Sequence, residues 1–249
     1  MPIRRFPLFA ALFAASLLGA GVAGAVTADL APDGEWVSYR DAYRAMVVFE
    51  KYGGPKHLIQ NHLQVMPRAK AGSTDGLRLA LIGKSPRLNL PLNLPLDPLG
   101  RAVFPLLKAA YDDNAALVLN RKLSQYLLRP RVSILVRRDG VYEAAELRAA
   151  CDQALGVARY ADASARALNC AGVRFGFARN AGTPVVRLRE GREGRDRGLA
   201  PALPVGEAAI FADDPDDGFK TVLYRFAGTP ARGQVVTQDA PLAIAPVFE

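Results

Sequence analysis

RLNLPLNLPLDPLG, residues 87–100, can be read as a strand, a linker or a proline-rich recognition segment, and the choice decides whether this part of the chain belongs to a sheet. Leu88, Leu90, Leu92, Leu94 and Leu96 hold even positions, while Arg87, Asn89, Pro91, Asn93, Pro95 and Asp97 hold odd ones. Extended backbone sends successive side chains to opposite faces, so the leucines share one face. A polyproline II helix repeats every three residues and would scatter them. Pro91 and Pro95 have the same parity, so both missing amide donors face the same lateral neighbour. The expectation is an edge strand with its leucines on the core, bonded along one side only and closed by the turn Asp97-Pro98-Leu99-Gly100.

Working outward, residues 58–66, 77–82, 115–120 and 131–137 read as strands. Beyond residue 170, GVRFGFAR, PVVRLRE, AAIFAD, KTVLYRF, GQVVTQ and PLAIAPVF are equally short and β-like. EGREGRDRG, residues 190–198, is charged and glycine-rich and reads as a surface loop. Helical patterns occur at SYRDAYRAMVVFEKYGG and YEAAELRAACDQALGVARY. In the first, Ser38 and Asp41 are spaced as a capping box and Gly53 ends the run. The fold class expected is α+β, with antiparallel β-sheets and a long N-terminal helix in each half. The halves also run in parallel order: a tyrosine-led helix, a strand, an Ala-Gly turn and further strands. That order suggests a duplicated domain, with residues 33–139 as one copy and 140–249 as the other.

The N-terminus has the three-part build of a secretory signal. Arg4 and Arg5 precede an apolar run that ends in Ala23-Gly24-Ala25, so residues 1–25 are expected to be a signal peptide and the protein periplasmic or secreted. No transmembrane segment is expected after cleavage. The chain has 249 residues and a formal charge of +8, but its arginines are spread among acids. No Lys/Arg stripe interleaved with aromatics points to nucleic acid.

An oxidising compartment allows the two cysteines, Cys151 and Cys170, to pair. Along one straight helix they would lie about 28 Å apart, too far for a bond that needs Cα atoms within about 7 Å. The chain must therefore reverse, and Asp162-Ala163-Ser164 offers the cap for a second helix. A helical hairpin of residues 143–160 and 163–169, stapled by Cys151–Cys170, is the expected form.

Signals for chemistry are few. His57 and His62 are spaced to face apart on a strand or helix, so no metal site is expected, and no phosphate or dinucleotide fingerprint occurs, so no cofactor is expected. DDPDDG, residues 213–218, begins like a calcium loop, but Pro215 occupies a ligand position. Trp36, Tyr39, Tyr43 and Tyr52 could stack on sugars, although helical spacing favours packing. The leading functional expectation is a non-enzymatic envelope protein that binds another envelope protein or a polysaccharide. The alternative is a cell-wall or polysaccharide hydrolase drawing paired carboxylates from Asp112, Asp113, Asp213 and Asp217.

Overall fold

The computed structural model describes residues 36–69, 72–83, 92–192, 195–215, 218–227 and 232–249. The expected signal peptide, Leu88, Leu90, Pro91 and Asp217 lie outside them. The described chain is a mixed fold of antiparallel sheets with helices packed against them.

A central sheet has the order β12-β13-β9-β15-β7-β2-β5. Its strands are β2 (Ile59–Pro67), β5 (Arg101–Ala102), β7 (Tyr126–Ile134), β9 (Cys170–Phe177), β12 (Val205–Ala208), β13 (Phe219–Arg225) and β15 (Ala243–Phe248). Two smaller sheets flank it. One has the order β1-β6-β3-β4, from β1 (Trp36–Ser38), β3 (Leu79–Ile82), β4 (Leu92–Leu94) and β6 (Ala116–Leu119). The other has the order β11-β10-β14-β8, from β8 (Val141–Glu143), β10 (Val186–Arg192), β11 (Arg195–Ala202) and β14 (Gln234–Thr237). The helices are α1 (Tyr39–Lys51), the short α2 (Lys108–Asp112) and α3 (Ala144–Ala161).

Among the described residues the leucine–proline stretch contributes β4, which pairs with β3 at the end of that sheet. Leu94 is buried, but Leu92 is 43% exposed, so the leucine face is not wholly on the core. Among the described residues no strand pairs with β4 on its other flank, which leaves Leu92 less covered than Leu94. The DPLG turn forms as read: Gly100 N donates to Asp97 O, and Asp97 Oδ1 accepts from Leu99 N and Arg101 N. Gly100 has φ of 70°, and a Cβ there would lie 2.1 Å from the Val65 carbonyl oxygen. Glycine is the residue that fits both conditions.

Other readings need correction. Ser38 is the N-cap of α1 but makes no capping hydrogen bond; its hydroxyl donates to Asn114 Oδ1 instead. Within the expected surface loop 190–198, residues 190–192 belong to β10 and residues 195–198 to β11, and the two strands pair. AAIFAD is not a strand beyond Ala208; Ile210 and Phe211 are buried in a turn beneath the central sheet, with Leu99, Ala243 and Ala245. β7 begins at Tyr126, five residues before the expected Arg131, because it runs through Pro130, a residue that ordinarily argues against an inner strand.

α3 forms because its apolar positions recur at three and four residues: Ala144, Leu147, Ala150, Cys151, Ala154 and Val157 are all buried. Cys151 bonds Cys170, with Cα atoms 6.0 Å apart. The expected helical hairpin is replaced by α3, a 3-10 turn over Ala163–Ala167 and then β9, so the bond staples helix to strand. The reversal does use Asp162, whose side chain accepts from Ser164 N. A second helix is unnecessary, since five residues of 3-10 turn already bring Cys170 back to Cys151. Replacing both cysteines by alanine is expected to lower unfolding free energy by about 3 kcal/mol, from the loop the bond closes. Urea unfolding of wild type and variant checks this, and coincident curves would contradict it.

Candidate functional site: a cleft at the divergence of two central strands

β7 and β15 are neighbours in the central sheet, yet they share one register pair, Ile134 with Ile244. The reason lies in the backbone. Val65 N donates to Gly100 O on the β5 side, so the odd-numbered amides of β2 point away from β7. With Leu63 opposite Pro130 and Ile59 opposite Ile134, the even-numbered amides of β7 then point toward β15. Pro130 shares the parity of Ile134. Pro246 shares the parity of Ile244, with no register break between them. Each proline ring therefore stands where its strand would donate to the other, and neither has a proton to give. Beyond the isoleucine pair each of the next two rungs has lost one of its two donors, and the strands part.

A cleft of about 530 Å³ occupies this divergence, within the roughly 300–1,000 Å³ usual for small-molecule sites. On one side of the sheet its walls are two helical stripes. Ala45, Val48 and Phe49 come from α1; Ala154, Val157, Ala158 and Ala161 come from α3. The three- and four-residue spacing places each set on one helix face, and the alanines leave the space that larger side chains would fill. The α3 stripe runs about 10 Å along the helix axis. The helices meet beside it, where the Tyr52 and Tyr160 rings lie 5.7 Å apart. Gly156 permits this approach, since a Cβ there would stand 2.2 Å from the Tyr52 hydroxyl. Pro130, Val132, Pro246, Val247 and Phe248 line the gap between the strands.

The opposite lip is polar. Arg131 stacks over Phe211 at 4.3 Å and reaches Asp213 Oδ1 at 2.7 Å, Asp214 Oδ1 at 2.6 Å and Gln64 Oε1 at 2.8 Å. Arg129 holds Asp213 Oδ2 at 2.7 Å and Asp214 Oδ1 at 2.6 Å. Burial pushes the Asp214 carboxyl above its usual range, against the pull of Arg131 and Gln64. Arg174, from β9, also lines the cleft, and its Nη1 donates to the carbonyls of Ala209 (2.9 Å) and Ile210 (3.4 Å). Burial, and then the nearby Arg225, lower its pKa, although a guanidinium stays charged at neutral pH. Among the described residues no carboxylate pairs with Arg174. Asn61, on the helix side, donates to Met46 O and leaves its own Oδ1 buried without a partner.

The residues singled out from sequence are dispersed. Asp112 ends α2 and binds Lys108, Asp213 is held by the two arginines, and Asp113 is the C-cap of α2. His57 approaches Gln153, while His62 lies in β2 with its pKa lowered by burial and by Arg101. Among the described residues no group of three or more His, Cys, Asp or Glu is gathered. Tyr39 is fully buried, stacked on Phe104 at 5.1 Å and donating to Pro105 O; Tyr43 packs on Tyr39 and Tyr111. These tyrosines are packing residues. Sequence reasoning missed Pro130, Pro246, Arg131, Arg174 and the alanine stripe. The available signal was proline inside runs that otherwise alternate as strands.

No helix among the described residues is long and apolar enough to cross a membrane. Comparison of the chain with protein-family models, with curated proteins and with solved structures finds no match.

Proposed function

We propose that this is a non-enzymatic binding protein of the bacterial-type envelope, exported by residues 1–25, and that its cleft holds a small amphipathic component of that envelope. The observation that carries the reading is the apolar cleft itself, walled by Val48, Phe49, Ala154 and Val157 and held open by Pro130 and Pro246. Apolar walls with a few placed polar groups are the usual composition of a ligand site. The disulfide is compatible with an oxidising compartment. Titration with a fluorescent apolar probe such as 1-anilinonaphthalene-8-sulfonate is expected to show saturable binding near one equivalent. An Ala158→Trp variant, which fills the cleft, should lose it. Absent or unsaturable binding, or a variant that binds like wild type, removes the reading.

The same proposal includes an origin for the cleft. Residues 33–139 and 140–249 are read as two copies of one unit. In support, the flanking sheets have the same order when strands are matched: β1-β6-β3-β4 against β8-β14-β10-β11. Each has a pre-helix strand at one end and a consecutive strand pair at the other. α1 and α3 follow β1 and β8, and each backbone is tied at its start, Tyr39 N to Ala115 O and Ala144 N to Gly233 O. The units meet edge to edge at β7 and β15, so the ligand would lie between the copies.

A further inference from the structure

We propose that the ligand is a single-chain amphiphile with a carboxylate head, its chain lying between α1 and α3 and its head on Arg174. This rests on the cleft reading above and adds the chemistry of the head. The cleft is polarised: its helix-side walls are mostly Ala, Val and Phe, whereas Arg131, Arg174 and Asp213 come from the opposite lip. Charge on that lip does not balance. Arg129 and Arg131 are matched by Asp213 and Asp214, which leaves Arg174 as a third guanidinium with no acid among the described residues.

Its hydrogen bonding points the same way. Nη1 is fixed by two backbone carbonyls, which pin the plane of the group. Nε and Nη2 have no protein partner among the described residues. A guanidinium edge held in one orientation with two open donors matches the two oxygens of a carboxylate. The lining carboxylate, Asp213, does not oppose such a head, because both its oxygens already contact guanidinium nitrogens at 2.7 Å. An uncharged alkyl chain would fill the walls but leave Arg174 without an anion.

Calorimetric titration of the whole mature protein with dodecanoate and with dodecanol tests this. Wild type is expected to bind dodecanoate at least about tenfold more tightly than dodecanol, the scale of one charge-assisted hydrogen bond. Arg174→Gln should bring dodecanoate down to the level of the alcohol and leave the alcohol unchanged. Arg174→Lys, which keeps charge without the planar fork, should retain part of the preference. Equal binding of the two by wild type, or an equal loss of both in Arg174→Gln, overturns the inference while the cleft reading stands. Binding of neither removes both. If Arg174→Gln does not fold, the head-group preference of wild type and the Arg174→Lys variant still decide the matter.

Discussion

Replacing Pro130 and Pro246 together by valine is expected to close the cleft. Each proline removes a donor that would otherwise cross between β7 and β15 beyond Ile134 and Ile244. Valine restores the donor and favours extended backbone. The ladder should then extend by about two hydrogen bonds, together contributing roughly 2 kcal/mol. The variant is therefore expected to unfold at higher denaturant than wild type while losing at least tenfold in affinity for an apolar probe. Hydrogen exchange gives a direct readout, because the amides at positions 130 and 246, absent in wild type, should be protected in the variant. Unprotected amides with undiminished probe binding would mean that something other than the prolines holds the strands apart. A gain in stability with loss of binding is a combination that simple misfolding cannot produce.

The second large effect is at Arg131. Its guanidinium contacts Asp213, Asp214 and Gln64, and Asp214 has a side chain only 12% exposed. Arg131→Met keeps the approximate volume and the contact with Phe211 but leaves the Asp214 carboxylate short of one counter-charge. Breaking a buried pair on one side is expected to cost about 3 kcal/mol at neutral pH, measured by urea unfolding. The deficit should depend on pH with a defined sign. Losing Arg131 raises the folded-state pKa of Asp214 further above its unfolded value of about 3.9. Between the unfolded and folded values the native state then binds more protons, so stability rises as pH falls through the folded pKa toward the unfolded one. Arg131→Met should thus approach wild type in mildly acidic buffer. A deficit that stays constant from pH 7 to pH 4 would show that lost packing, and not the under-compensated carboxylate charge, is responsible. The double variant Arg131→Met/Asp214→Asn should recover part of the loss at neutral pH.

The legible part of the fold follows from local rules. Short β-like runs between turn residues placed β2, β3, β6, β9, β13 and β14 within a few residues, because apolar and β-branched side chains suit extended, packed backbone. The DPLG turn was readable because Asp, Pro and Gly are the residues a β-turn favours at those places, and Gly100 proves to need positive φ beside a backbone oxygen. Pairing of Cys151 with Cys170 followed from there being two cysteines in an oxidising compartment, and helix rise set against disulfide reach then required the chain to turn back. Errors fell where a long-range partner overrides local preference. Ser38 turns from its own helix to Asn114, and Phe211 leaves the strand pattern to pack beneath β7.

The cleft was the least legible feature, although its causes are single residues. Pro130 and Pro246 are 116 positions apart by their numbers, and each alone says only that a donor is missing. Their parities acquire meaning once β7 and β15 are neighbours, which depends on loop closures and packing that no short window contains. The charge excess at Arg174 is likewise a sum over three segments of chain. The sequence by itself determined most of the strands, the two long helices, the disulfide and the DPLG turn, because these depend on backbone sterics and spacing within about twenty residues. Only the tertiary structure decided which two strands fail to pair, where the two helices leave a gap and which arginine lacks an acid, because those are properties of residues brought together from distant parts of the chain.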